Sequence, residues 1–292
     1  MSLPATLTSL SEYAFSECSS ISKFNFSGNS TYKVSSDGVF ILGADGTSII
    51  ASAHGATSVT IPDSFTTLDG TFSEFRSLTS IVIPATVKSI GANAFYECKA
   101  LTSITFLGSV TSIGDKAFYG CEALTSIVIP SGVTSIGKNA FEGCYALTSV
   151  TLPETLTSLG EYAFKDCSSL TSITLPNALT SLDQYVFDGC VALTTVNLSE
   201  SLTSIGERAF HDCIALTAIT LPDTLTSIGE YAFGSCKALP RIFIPASVLT
   251  MERYVFYQCS SLRISCEAAS QPSGWDSNWN FSFCPVTWGA TR

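Results

Sequence analysis

The chain is short of charge, and of positive charge above all. Only 13% of its 292 residues are Asp, Glu, Lys or Arg, and 14 Lys+Arg against 24 Asp+Glu leave a net charge of −10. Such a balance repels a phosphate backbone, so no nucleic-acid partner is expected. There is no apolar run near the roughly 18 residues that a membrane helix needs, and membrane insertion is not expected. The opening Met1-Ser2-Leu3-Pro4-Ala5-Thr6-Leu7 lacks the basic and apolar stretches of an export signal. Histidine occurs twice, and H-E-x-x-H, G-x-S-x-G and phosphate-loop patterns are missing. No catalytic residues, metal ligands or cofactor are therefore expected. What is plentiful is hydrophobic side chain, at 46%, enough for a packed interior. Eleven cysteines are too thinly spread for a small disulfide scaffold.

Their spacing is periodic. Phe95, Phe118, Phe141, Phe164, Phe187, Phe210, Phe233 and Phe256 follow one another every 23 residues, and a cysteine stands three residues after each, from Cys98 to Cys259. The unit between them runs Leu170-Thr-Ser-Ile173-Thr-Leu175-Pro176-Asn-Ala-Leu179-Thr-Ser-Leu182, a leucine-rich repeat in pattern. Phe72 and Phe75 mark a copy shortened by one residue, and Phe15 with Cys18 marks another. The first copy begins at Leu3-Pro4, halfway through a unit, which leads us to expect a longer native chain or an excised fragment. Eleven extra residues fall within an insert at about 27–55. There Val39-Phe40-Ile41-Leu42 and Thr47-Ser48-Ile49-Ile50 flank Gly43-Ala44-Asp45-Gly46, which predicts a β-hairpin projecting from the stack.

Within a unit, Ile173 and Leu175 alternate with Ser172 and Thr174, the period of a strand with one wet face, so each copy predicts one short strand. Pro176 turns the chain out of the sheet, and Leu179 and Leu182 bring an apolar edge back. The apolar spacing of Gly160-Glu-Tyr-Ala163-Phe164-Lys-Asp-Cys167 predicts one or two helical turns opposite the strand. No copy can bury its three apolar edges alone, whereas stacked copies can. The expected fold is an α/β-type repeat solenoid, curved and right-handed, with about eleven parallel strands on a concave face and a length on the order of 50 Å. We place the solenoid at 1–266 and a C-terminal cap at 267–292.

In these features the chain resembles the BspA-type leucine-rich repeat family, whose signature is I-P-x-x-V-T-S-I-G-x-x-A-F-x-x-C-x-x-L. Ile129-Pro130 to Cys144 and Leu221-Pro222 to Cys236 carry it almost letter for letter. The resemblance covers residues 3–26 and 56–266. Asp183 and Glu252 depart from it at the corner glycine, Leu107-Gly108 and Ser199 in the proline column, and Asn197 in the strand. Ser36-Asp37-Gly38-Val39-Phe40 is similar to the family's recurring hairpin motif. The resemblance implies a non-enzymatic surface protein of a microbe or protozoan that attaches to a protein or glycoprotein.

The candidate binding surface is the outward side of the strands, small and uncharged through the middle and varied toward the C-terminus. Thr174, Asn197, Thr220, Arg241 and Phe243 are the candidate contacts, beside an acidic rim of Glu154, Glu200 and Asp223 flanking Asn177. The competing expectation is a spacer with no ligand of its own, its strand face merely a tolerable β-surface. The cysteine column is expected to be buried and reduced, since stacked equivalent positions point their Cβ vectors in parallel. Cys266 and Cys284 lie outside it and are candidates for a cap-closing disulfide. His54 falls in the insert, and His211 in a freely varying surface column, so His211-Asp212-Cys213 is not taken as a nucleophile with its base. Trp275, Trp279, Phe281, Phe283 and Trp288 are expected to cover the last repeat. A carbohydrate-binding or hydrolytic role for this aromatic tail is the minor alternative.

Overall fold

The fold is taken from a computed structural model that describes residues 1–11, 14–15, 18–26, 28–46 and 48–292. Each 23-residue unit forms one coil, and the coils stack through two parallel strand ladders rather than one. The face strands include Ser80–Ile83, Ser103–Phe106, Ser126–Val128, Ser149–Thr151, Ser172–Thr174, Thr195–Asn197, Ala218–Ile219, Arg241–Ile244, Arg263–Cys266 and Val286–Trp288. Between successive copies the edge strands, such as Ser135–Ile136 and Ser158–Leu159, pair in the same parallel sense. The second ladder follows from the unit itself, which carries Thr-Ser followed by Ile or Leu twice, so the same two-residue alternation buries an Ile or Leu at both corners. Register is set by the repeat: Ser126 pairs with Ser149 and Ile127 with Val150, 23 residues on.

The expected helical turns do not form; among the described residues there is no helix. Two residues per turn segment sit in the left-handed region, as Asn93 (φ 54°) and Glu97 (φ 56°), or Tyr162 (φ 61°) and Asp166 (φ 58°). A helix needs φ near −63° throughout, so two sign reversals in six residues exclude it. The reversals turn alternate N–H groups toward the next coil. Asn93 N donates to Asp115 O at 2.9 Å, Phe95 N to Ala117 O at 2.7 Å and Glu97 N to Tyr119 O at 2.7 Å. Bonds between coils thus replace the i to i−4 bonds of a helix, and backbone groups buried by stacking are satisfied.

Inside, the column from Phe72 to Phe256 stacks ring on ring, with centroids 5.1–5.8 Å apart and planes within 12° of parallel. Each buried ring contributes about 1.5–3 kcal/mol by burial, and offset stacking adds about 0.5–1.5 kcal/mol per pair. The cysteine column lies beside it, fully buried from Cys98 to Cys236.

The insert is not a projecting two-stranded hairpin. Tyr32–Val34, Phe40–Gly43 and Ile49–Ser52 form a three-stranded antiparallel sheet, with Thr47 outside the described residues. Its middle strand is buried: Phe40 lies 5.8 Å from Phe72 and 6.5 Å from Phe65, closing the N-terminal end of the phenylalanine stack. Four consecutive apolar residues, Val39 to Leu42, are all buried and leave that strand no wet face, so it packs on the coils. Asp37 fastens it, accepting from Ser35 Oγ, Val39 N and, 23 residues on, Thr60 N at 2.7 Å.

The C-terminal tail continues the stack. Val286–Trp288 pairs in parallel with Arg263–Cys266, and Trp279, 23 residues after Phe256, sets its ring 6.0 Å from that phenylalanine. Trp275 packs 4.9 Å from Trp279 and donates its Nε1–H to Val248 O. Trp275 and Trp279 are buried, so this pair is core and offers no platform for sugar; Phe281 and Phe283 are exposed.

Candidate protein-binding face

Ser and Thr recur along the strand face for a structural reason. In the column Thr79, Thr102, Thr125, Thr148, Thr171, Thr194 and Thr217, each hydroxyl from Thr102 onward donates to the carbonyl of the preceding member, as Thr102 Oγ1 to Thr79 O at 2.8 Å and Thr194 Oγ1 to Thr171 O at 3.0 Å. Thr174 and Asn197 are exposed on neighbouring strands but engage each other, Asn197 Nδ2 donating to Thr174 Oγ1 at 2.9 Å. The acidic rim is also fastened: Asn177 Oδ1 accepts from Glu200 N at 3.1 Å.

The C-terminal end of the face is different. Thr220, Arg241 and Phe243 converge on a hollow of about 630 Å³, with Ile219, Ser265 and Arg292 among its walls. Asn197 and Thr174 lie one and two repeats before Thr220 and do not reach it. Arg292 folds back across the strands, its guanidinium 5.1 Å from the Phe243 ring centre, donating to Leu221 O at 2.6 Å and pairing with Asp223 at 2.9 Å. That contact spans 71 residues and has no counterpart in the 23-residue register.

Arg241 pairs across the ladder with Arg263, and both side chains are exposed. Among the described residues neither guanidinium forms an ion pair. Like charges directly opposite across a ladder are unfavourable, and on a chain of net charge −10 this is a concentrated positive site. Arg263 was not among the expected contacts. Its signal was a spacing of 22 rather than 23 after Arg241, which hides it from a strict count.

The eight column cysteines are free thiols, each donating to the phenylalanine carbonyl of the previous coil, as Cys121 Sγ to Phe95 O at 3.2 Å. Burial pushes Cys98 and Cys259 up to about 12, so the thiolate form is suppressed. Cys266 and Cys284 are also free and buried. Ile264 pairs with Val286, which sets Cys284 beside Leu262 and four residues from Cys266, about 13 Å along the strand, against a disulfide limit of about 7 Å between Cα atoms. The Cys284 thiol instead donates to Cys259 O at 3.3 Å, extending the cysteine column.

His54 stacks on Phe75 at 4.8 Å, and burial lowers its pKa. His211 is not on a free surface column: its side chain is 16% exposed and its Nδ1 lies 2.8 Å from Asp188 Oδ1. The pair was legible in principle, because positions 188 and 211 differ by one period.

The sequence matches the BspA type leucine rich repeat region in six copies, over residues 1–40, 47–170 and 134–263. The chain belongs to the BspA-type leucine-rich repeat family. Among solved structures this BspA-type chain is similar to the Treponema pallidum leucine rich repeat protein, with 24% identity over 72% of this chain and 87% of that one and a TM-score of 0.51. It is also similar to a leucine-rich repeat protein from Bacteroides ovatus, with 22% identity, 88% and 90% coverage and a TM-score of 0.40. A pneumococcal vaccine antigen, PcpA, aligns at 18% identity with 82% and 77% coverage and a TM-score of 0.35. No curated protein matches the chain. These likenesses concern the fold, a parallel-strand repeat solenoid.

Proposed function

We propose that this BspA-type protein is a non-enzymatic scaffold that captures an acidic protein or glycoprotein through the C-terminal end of its strand face, as a component of a cell surface. The observation that carries this reading is the Arg241–Arg263 pair, two exposed guanidiniums side by side with no carboxylate, next to the hollow that holds Phe243. Charge-assisted bonds from two arginines suit a carboxylate or sulfate group, and the aromatic wall supplies apolar contact beside it. The surface placement rests on family resemblance.

The test presents immobilised full-chain protein and its Arg241→Glu/Arg263→Glu variant to cell-surface and matrix extracts, followed by rebinding of each purified captured protein. Loss of one acidic partner with the variant, at unchanged folding, supports recognition here. Equal capture by both, or capture by neither, favours a spacer. That second reading has its own support: the threonine hydroxyls of the middle face are already committed to neighbouring coils.

A further inference from the structure

We propose that Asp188, His211 and Asp212 bind a divalent first-row transition-metal ion that bridges two adjacent coils on the turn side. His211 Nδ1 lies 2.8 Å from Asp188 Oδ1 and 3.3 Å from Asp212 Oδ2, and one donor atom from each residue falls within 4.8 Å of the others. Donors sharing an ion at 2.0–2.2 Å stand about 3.0–3.4 Å apart, so the three need only small adjustment to close on one ion. Their backbones are held by the bonds between coils: Gly189 N donates to His211 O at 3.0 Å and Asp212 N to Gly234 O at 2.9 Å.

Charge argues in the same direction. Elsewhere, residues one period apart match a base with an acid, as in Lys99–Glu122, Lys138–Glu161, Lys165–Glu142 and Arg253–Glu230. Here two carboxylates share one imidazole, and among the described residues no Lys or Arg pairs with either of them. A divalent ion offsets the charge of the two carboxylates, and a donor bond from His211 Nδ1 adds none. Asp188 is only 9% exposed, where an incompletely matched carboxylate is costly.

Gly234 leaves room for the imidazole ring, since a Cβ there would meet His211 Cδ2 at 2.7 Å. One nitrogen and two carboxylates suit Zn²⁺, Co²⁺ or Mn²⁺, and the imidazole selects against Mg²⁺ and Ca²⁺. The neighbouring Cys213 thiol is engaged with Phe187 O and is not a donor to this ion.

Calorimetric titration of Zn²⁺ into chelator-treated full-chain protein tests the assignment. We expect one saturable site and a raised melting temperature, with binding weakened about tenfold or more by His211→Gln and by Asp212→Asn. Asp212 is half-exposed, so its variant keeps the fold, which circular dichroism checks. Asp63→Asn, at an exposed carboxylate elsewhere, leaves the affinity unchanged. Co²⁺ in place of Zn²⁺ gives ligand-field bands without thiolate charge transfer. Absence of saturable binding, equal affinity in the His211 and Asp212 variants, or a thiolate band overturns the proposal.

Discussion

Arg241 and Arg263 are direct partners in a parallel ladder, two like charges placed side by side by the register of their strands. Their neighbours Ile242 and Ile264 are buried in the same ladder, so the register cannot slip to separate them without moving both isoleucines out of the core. Under the proposed capture role, binding and stability pull in opposite directions at this point. Arg263→Glu converts repulsion into a cross-strand pair and should stabilise the fold by about 0.2–1 kcal/mol while abolishing partner capture. Urea denaturation beside a binding assay checks both halves. A variant that binds normally would separate this pair from recognition.

Thiol chemistry should be almost silent in the native protein. Cys18 is half-buried and the other ten cysteines are buried, so a thiol reagent at neutral pH is expected to titrate about one group in buffer and eleven in denaturant. Rapid native reaction of several thiols would contradict the packing described.

The same burial gives the fold an alkaline limit. Cys98, Cys259 and Cys266 have folded values raised from an ordinary 9.0 to about 12. The folded state therefore holds these protons more tightly than the unfolded chain. Their contribution is complete below pH 9 and is lost as pH rises from there toward 12. Denaturation midpoints measured across that window should fall steadily, and a Cys98→Ala/Cys259→Ala variant should show a shallower fall.

Trp279 ends the phenylalanine stack. Trp279→Ala uncovers Phe256 and leaves a cavity, with an expected loss of about 3–5 kcal/mol and self-association through the exposed end. Calorimetry and sedimentation velocity read the two effects. Trp279→Phe restores the column and should recover most of the loss.

Asp37 organises the turn of the insert through Ser35 and Val39 and holds it to the coils through Thr60. Asp37→Ala should cost about 1–3 kcal/mol locally. Hydrogen exchange should accelerate across 32–52 while the central repeats keep their protection. Uniform acceleration would mean the insert and solenoid open together.

Much of this architecture is written in the sequence because it depends on one number. A strict 23-residue period aligns Phe95 with Phe118 and Cys98 with Cys121, and whatever the local conformation, equal arc lengths must stack equal residues. The family, the buried cysteine column and the alternation in Ser172-Ile173-Thr174 follow from that alone. Even the second ladder was present in the repeated Thr-Ser-Ile of each unit, although a single strand per copy was expected.

Tertiary structure decided the rest wherever a bond joins one coil to the next. Apolar spacing in Gly160 to Cys167 suits a helix, but helical hydrogen bonds would leave the stacked coils unjoined, and left-handed residues such as Tyr162 and Asp166 turn those bonds outward instead. The fold of Arg292 onto Phe243, the separation of Cys284 from Cys266 and the placing of Arg263 beside Arg241 lie outside the period, at the C-terminal end where spacings become irregular. There, register and packing choose the neighbours, because the repeat no longer dictates them.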